Sequence, residues 1–132
     1  MAKERVVDVD LRWGDSDAFA HVNNVVFFRL LEEARARVIP TEGPGSTILS
    51  AGLVVAEQQL KYTAPLHYRP EPIQVGMRVD HIGGSSFRLA CRVFDSTSGD
   101  VFAEGFVSLV AYDFGLGSPR KLSDDERSWL TA

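Results

Sequence analysis

Residues 12–37 read RWGDSDAFAHVNNVVFFRLLEEARAR, and this stretch decides the fold. Polar groups crowd its first half: Asp15, Ser16, Asp17, His21, Asn23 and Asn24. Its second half sets Val26, Phe27, Leu30, Leu31, Ala34 and Val38 at helical spacing. Phe28 widens that apolar stripe, so a helix over 23–38 should be wrapped by other elements on most sides. Glu33 and Arg37 lie four apart, and the charges are expected to cluster late and outward. Pro40 stops the helix, and TEGPGS at 41–46 reads as a loop. A carboxylate-rich loop therefore runs straight into a helix N-terminus. Free N–H groups and the positive end of the helix dipole favour negative charge there.

Upstream, residues 6–13 (VVDVDLRW) alternate, with Val7, Val9, Leu11 and Trp13 on one face. Asp8, Asp10 and Arg12 take the other, which predicts a half-buried strand. Downstream of the loop everything reads as strand up to the tail. One strand spans 53–62. Ile73, Val75, Met77 and Val79 alternate in the next, and Gly83-Gly84 makes a turn. Phe87, Leu89, Cys91 and Val93 alternate again, STSGD at 96–100 is a hairpin turn, and 101–112 is a long last strand. The tail predicts a loop and a short amphipathic helix capped by Ser123 or Asp124.

The order is β-α-β-β-β-β, an α+β fold with one sheet and one long buried helix. Curling the sheet around the helix buries one of its partly apolar faces. A second copy can extend the sheet and cover more, so a homo-oligomer is expected.

The chain has 132 residues, 45% of them apolar, enough for a single domain over 1–132 with one core. A net charge of −4 argues against a general binder of nucleic acid or membrane surfaces. The lone Cys91 fits a reducing compartment. There is no leader-like start and no apolar run of about 20 residues, so a soluble cytoplasmic protein is expected. His67 and His81 lack spaced ligand partners, so no metal is expected. No phosphate-binding loop, dinucleotide fingerprint or GxSxG elbow occurs, which disfavours nucleotide chemistry and a serine hydrolase.

From Asp15 to Asn24 (DSDAFAHVNN) the chain resembles the hotdog-fold acyl-CoA thioesterases of the 4-hydroxybenzoyl-CoA thioesterase type. That pattern is an aromatic strand end, Asp-x-Asp, a small turn, His-Val-Asn-Asn, then a helix ending Glu-x-Ala-Arg. Here the parts are Trp13, Asp15, Asp17, His21 to Asn24, and Glu32-Glu33-Ala34-Arg35. Weaker likeness continues through Leu60-Lys61-Tyr62, Pro65-Leu66 and Gly83-Gly84-Ser85-Ser86-Phe87, to about Asp113. The resemblance implies a curved antiparallel sheet wrapped around one central helix. It also implies active sites between subunits of a homodimer; whether dimers assemble further into homotetramers is open. It makes Asp17 the nucleophile or the general base for water. Two departures stand out. Ala20 replaces the usual Gly before the His, which would be strained at positive φ. HYRPEPI follows Leu66 where the family has Gly-Asp.

Thioester hydrolysis needs an oxygen nucleophile and a donor for the developing oxyanion. An ionised Asp17 can attack directly or take a proton from water. Backbone N–H groups at Asn23 and Asn24 are the expected oxyanion donors, each worth about 3 kcal/mol. His21 and Asn23 are expected to orient the loop or a water. The thiolate leaves without an acid, since a thiol has a pKa of roughly 8.5. Phe27, Phe28, Val54 and Val55, drawn from two subunits, are expected to line the acyl pocket; Ser85 and Ser86 suit contact with the CoA moiety or, equally, a turn and strand start. No organic cofactor is needed.

Plainer roles exist for each group. Asp15 and Asp17 suit turns and caps in any protein, and Asp15 is expected to be structural. Glu32 and Glu33 fit a solvated face, with a catalytic role as a minor alternative. Arg88 and Arg92 suit CoA phosphates or mere solubility, and Cys91 falls in register with core positions. A hydratase would carry an Asp-x-Asn-Pro-x-His motif, which is missing. A non-catalytic acyl-thioester binder, and a thioesterase acting on an acyl carrier protein, remain as alternatives.

Overall fold

A computed structural model describes residues 1–132. Strands β1 (Arg5–Val9), β2 (Leu53–Tyr62), β3 (Ile73–Ile82), β4 (Ser86–Phe94) and β5 (Val101–Asp113) form one antiparallel sheet in the order β1-β3-β4-β5-β2. A two-residue strand β6 (Ser118–Pro119) pairs with β5. Helix α1 (Asn24–Val38) lies in the curl of the sheet, the short α2 (Thr47–Ser50) precedes β2, and α3 (Asp124–Thr131) is the last element.

The alternation that predicts the strands also builds the core. Ile73, Val75 and Met77 of β3, Phe87, Leu89 and Val93 of β4, and Val107, Leu109 and Ala111 of β5 are buried on one face. Phe27, Leu30, Leu31 and Ala34 of α1 pack into the same cluster. Cys91 belongs to it too, and burial pushes its thiol up to about 12, so it is an inert core residue. At Gly105 the sheet closes tightly: an added Cβ would stand 1.9 Å from the Gln59 carbonyl oxygen on β2.

The other face of the sheet is laced with charge. Arg88 pairs with Asp80 at 2.9 Å and lies over the Phe106 ring. Arg92 pairs with Glu4 at 2.8 Å and lies over Phe94. The two free sheet edges differ. β1 is five residues long, whereas β2 runs for ten with most of its side chains exposed.

Three expectations need correction. The strand read over 6–13 ends at Val9, and Trp13–Asp15 forms a 3₁₀ turn. The Asp15 carboxylate accepts the Arg12 N–H at 2.7 Å and bends the chain there, leaving Trp13 83% exposed, not on the buried face. Second, α2 is a single helical turn that the sequence did not announce. Four residues are too few to show a helical period. Third, the late charges of α1 are not all outward, because Arg35 is buried and one of its Nη atoms has no partner. Burial lowers its pKa, against the opposing pull of Glu32 and Cys91. The Glu33–Arg37 pair does form, at 2.6 Å.

The tail helix begins as expected, with Ser123 capping it. Ser123 and Glu126 exchange bonds in a capping box. Glu126 is fully buried and accepts from both Nη atoms of Arg120 (2.9 and 3.1 Å) and from Thr47 (2.9 Å). Burial alone would raise its carboxyl. Arg120, Ser123 and Thr47 outweigh that and hold it at about 2.

Candidate active site

The polar half of the decisive stretch folds into a small projecting turn. Ser16 and Val22 form an antiparallel bridge at its base. Asp17 N–H donates to the His21 carbonyl at 2.8 Å, and Ala20 N–H to the Asp17 carbonyl at 3.1 Å. Ala20 completes the reversal at φ 61°, the positive value that its departure from Gly raised in the sequence. His67 Nδ1 meets the Ala20 carbonyl at 3.1 Å and braces it.

Two anchors tie this turn to α1. The buried Asp15 carboxylate accepts from Arg29 at 2.6 Å, and its carbonyl accepts the Asn23 N–H at 2.9 Å. Asp15 is thus a structural post between turn and helix. Asn23 caps α1, its side chain accepting the Val25 N–H at 2.9 Å. The Val26 N–H is taken by the Asn23 carbonyl, while the Asn24 N–H has no acceptor in the chain.

The Asp17 carboxylate has one committed oxygen. Oδ1 accepts from Phe19 N–H at 2.9 Å and His21 N–H at 3.4 Å. Oδ2 has no protein donor. Asp17 lines a cavity of about 400 Å³ together with His21, Asn24 and Tyr62 and with the buried Val22, Phe27 and Leu66. Tyr62 donates to the Asn24 carbonyl at 2.8 Å and meets Phe27 edge to face at 5.2 Å. Partial desolvation raises its phenol pKa, so it stays a donor.

Of the residues singled out in the sequence, Asp17, His21, Asn24 and Phe27 meet at this cavity, with Asn23 behind it as the cap. Phe28 packs against the core outside it. Val54 and Val55 start β2, and Tyr62 ends it, so the two lie some seven residues and about 25 Å apart along an extended strand. Ser86 pairs with Val110 beside that far end, with Ser85 next to it. One chain therefore does not bring these four residues to Asp17. Glu33 is engaged by Arg29 and Arg37. Arg88 and Arg92 are paired on the outward sheet face. No three His, Cys, Asp or Glu side chains gather closely enough to hold a metal ion.

Sequence reasoning gave no role to Tyr62, the Thr63–Leu66 stretch or His67, which form the cavity's other wall and the brace on Ala20. The Val22 N–H donates to the Leu66 carbonyl at 2.7 Å and joins the two stretches. A backbone bond between distant segments leaves no side-chain signature.

The sequence profile of the thioesterase-like superfamily matches residues 11–130. The chain belongs to this superfamily. Solved structures agree. A thioesterase from Thermus thermophilus, complexed with coenzyme A and zinc, is 31% identical over 95% of this chain and 90% of that one, with TM-score 0.80. A candidate acyl-CoA thioesterase from Xanthomonas campestris is 32% identical over 89% of this chain and 98% of that one, with TM-score 0.75. A 1,4-dihydroxy-2-naphthoyl-CoA thioesterase from Synechocystis is 13% identical over 97% and 96%, with TM-score 0.82, and shares the fold. No curated protein matches in sequence. The hotdog architecture expected for this superfamily, a curled sheet around one helix, is the one present. No helix is long and apolar enough to cross a membrane.

Proposed function

We propose that this thioesterase-superfamily chain hydrolyses acyl-CoA thioesters to a free acid and coenzyme A, with Asp17 as the reacting carboxylate. One observation carries the reading: a carboxylate with a free oxygen and a helix N–H without an acceptor share the rim of one apolar-floored cavity. The acyl carbonyl placed there has its oxygen toward the Asn24 N–H, where charge builds up in the tetrahedral state. Asp17 takes a proton from water as it adds to the carbonyl carbon. Alternatively Oδ2 adds itself, giving a mixed anhydride that water then opens. In both routes the C–S bond breaks and the electron pair leaves on sulfur as a thiolate. His21 N–H holds Asp17 Oδ1 and fixes the direction of Oδ2. The coenzyme A found with the Thermus relative supports CoA as the carrier.

The distant Val54, Val55, Ser85 and Ser86 fit this reading through a second copy. Two β2 edges paired antiparallel bring the Leu53 end of one chain to the Tyr62 end of the other. Each Asp17 cavity then gains a wall from its partner.

The test is thiol release from short, medium, long and aromatic acyl-CoAs by wild type and Asp17→Asn. We expect turnover that falls at least about a hundredfold in the variant at unchanged melting temperature. Equal turnover in both would move the chemistry to another carboxylate, Asp15 or Glu33. No turnover on any ester would discard CoA thioester hydrolysis.

A further inference from the structure

One planar unit joins the strained Ala20 to the Asp17 carboxylate. The peptide between Ala20 and His21 is trans, so it carries the Ala20 carbonyl on one side and the His21 N–H on the other. On the first side the carbonyl meets His67 Nδ1 at 3.1 Å, across 47 residues of sequence, and no other donor in the chain reaches it. On the second side the N–H donates to Asp17 Oδ1 at 3.4 Å. A carbonyl only accepts, so Nδ1 of His67 carries the hydrogen, and Nε2 is the bare nitrogen of the neutral ring. His67 is itself held in place. Its neighbour Leu66 accepts the Val22 N–H at 2.7 Å, and its ring meets His21 edge to face at 4.9 Å.

Ala20 needs such a partner. At φ 61° it sits in the left-handed region, which costs an L-residue roughly 1 kcal/mol. Relaxing that angle would turn the plane and swing the His21 N–H away from Oδ1. The turn's own backbone bonds run from Asp17 N–H to the His21 carbonyl and from Ala20 N–H to the Asp17 carbonyl. Neither uses an atom of this plane, so neither fixes it. Phe19 N–H also holds Oδ1, at 2.9 Å, but a carboxylate on one bond can pivot about it, and two bonds fix it. We infer that His67 is a positioning residue for Asp17. It draws on the Ala20 carbonyl and thereby aims the His21 N–H at Oδ1, which leaves Oδ2 as the free oxygen. This rests on the thioesterase reading above. A donor on the carbonyl also polarises the peptide and strengthens the bond its N–H gives.

The experiment separates the donor from the ring. His67→Phe keeps an aromatic ring and removes the donor. His67→Asn removes the ring and returns an N–H where Nδ1 stood. On an acyl-CoA that the wild type turns over, we expect kcat to fall about tenfold in His67→Phe, with KM within about twofold. His67→Asn should recover most of that loss. A raised KM at full kcat would make His67 a substrate contact and overturn the inference. Equal losses in both variants, which would assign the effect to the ring, or no loss in either, would overturn it too. The clamp is also read without turnover. In isotope-labelled free protein in mildly alkaline solution, the imidazole nitrogen resonances should show His67 as the Nδ1–H tautomer. The His21 amide should exchange about tenfold faster in His67→Phe, while the Val25 amide, held by the Asn23 cap, stays unchanged. An Nε2–H tautomer, or unaltered His21 exchange, would remove the clamp whatever the activity. The clamp without turnover on any ester would keep the hold on Asp17 and remove the hydrolase.

Discussion

Ala20 is the one residue other than glycine with positive φ, and it sits at the crest of the Asp17 turn. The left-handed region costs an L-residue roughly 1 kcal/mol, part of which glycine would return through its freer unfolded chain. Ala20→Gly is therefore expected to stabilise the protein by about 0.5 kcal/mol and raise Tm by about 2 °C, read by thermal denaturation. A β-branched residue there should do the opposite and lower turnover with it. Tyr62 offers a second prediction at this scale. Its hydroxyl holds the Asn24 carbonyl at the first turn of α1. Removing it in Tyr62→Phe should lower kcat several-fold with little change in KM, since the ring wall remains; a pure KM effect would count against a positioning role. The sequence made Asp17 and Ala20 legible because both lie inside one continuous motif. Tyr62, His67 and Leu66 were not legible in that way, because their link to the turn runs through backbone atoms and a long excursion of the chain.

Elements with a clean period were readable end to end. β3, β4 and β5 alternate along their buried faces, and α1 keeps its stripe from Phe27 to Ala34. The failures came where a polar contact overrides the pattern. Asp15 turns the chain at Trp13, and the single turn α2 is too short to have a period. α2 is nevertheless part of a lock, since Thr47 and Arg120 both grip the buried Glu126 of α3. Its carboxyl, at about 2, lies below the value of roughly 4.3 expected in the unfolded chain. A folded-state pKa that is depressed adds stability above the unfolded value, and that stability fades as pH falls from about 4 toward 2. Glu126→Gln should cost about 3 kcal/mol at neutral pH and flatten the acid limb of the stability curve. Urea melts at pH 7 and pH 3 would show it; an equal cost at both values would argue against the ion pair as the source.

At the level of the whole molecule, the long free β2 edge calls for a partner. Sedimentation should find at least a dimer. Proline at Gln58 or at Gln59, whichever points its N–H off the sheet, should weaken the assembly and reduce turnover together. Loss of the dimer with full activity would separate the site from the second copy. The outward sheet face is a different matter. Two of its arginines, Arg88 and Arg92, each already have a carboxylate and an aromatic ring. Stacking another layer on that face would strip water from two satisfied ion pairs for little in return. Concentrated solutions should therefore stay clear along this direction. Crowding would drive molecules together edge to edge, making β2 the place where colloidal fate is decided.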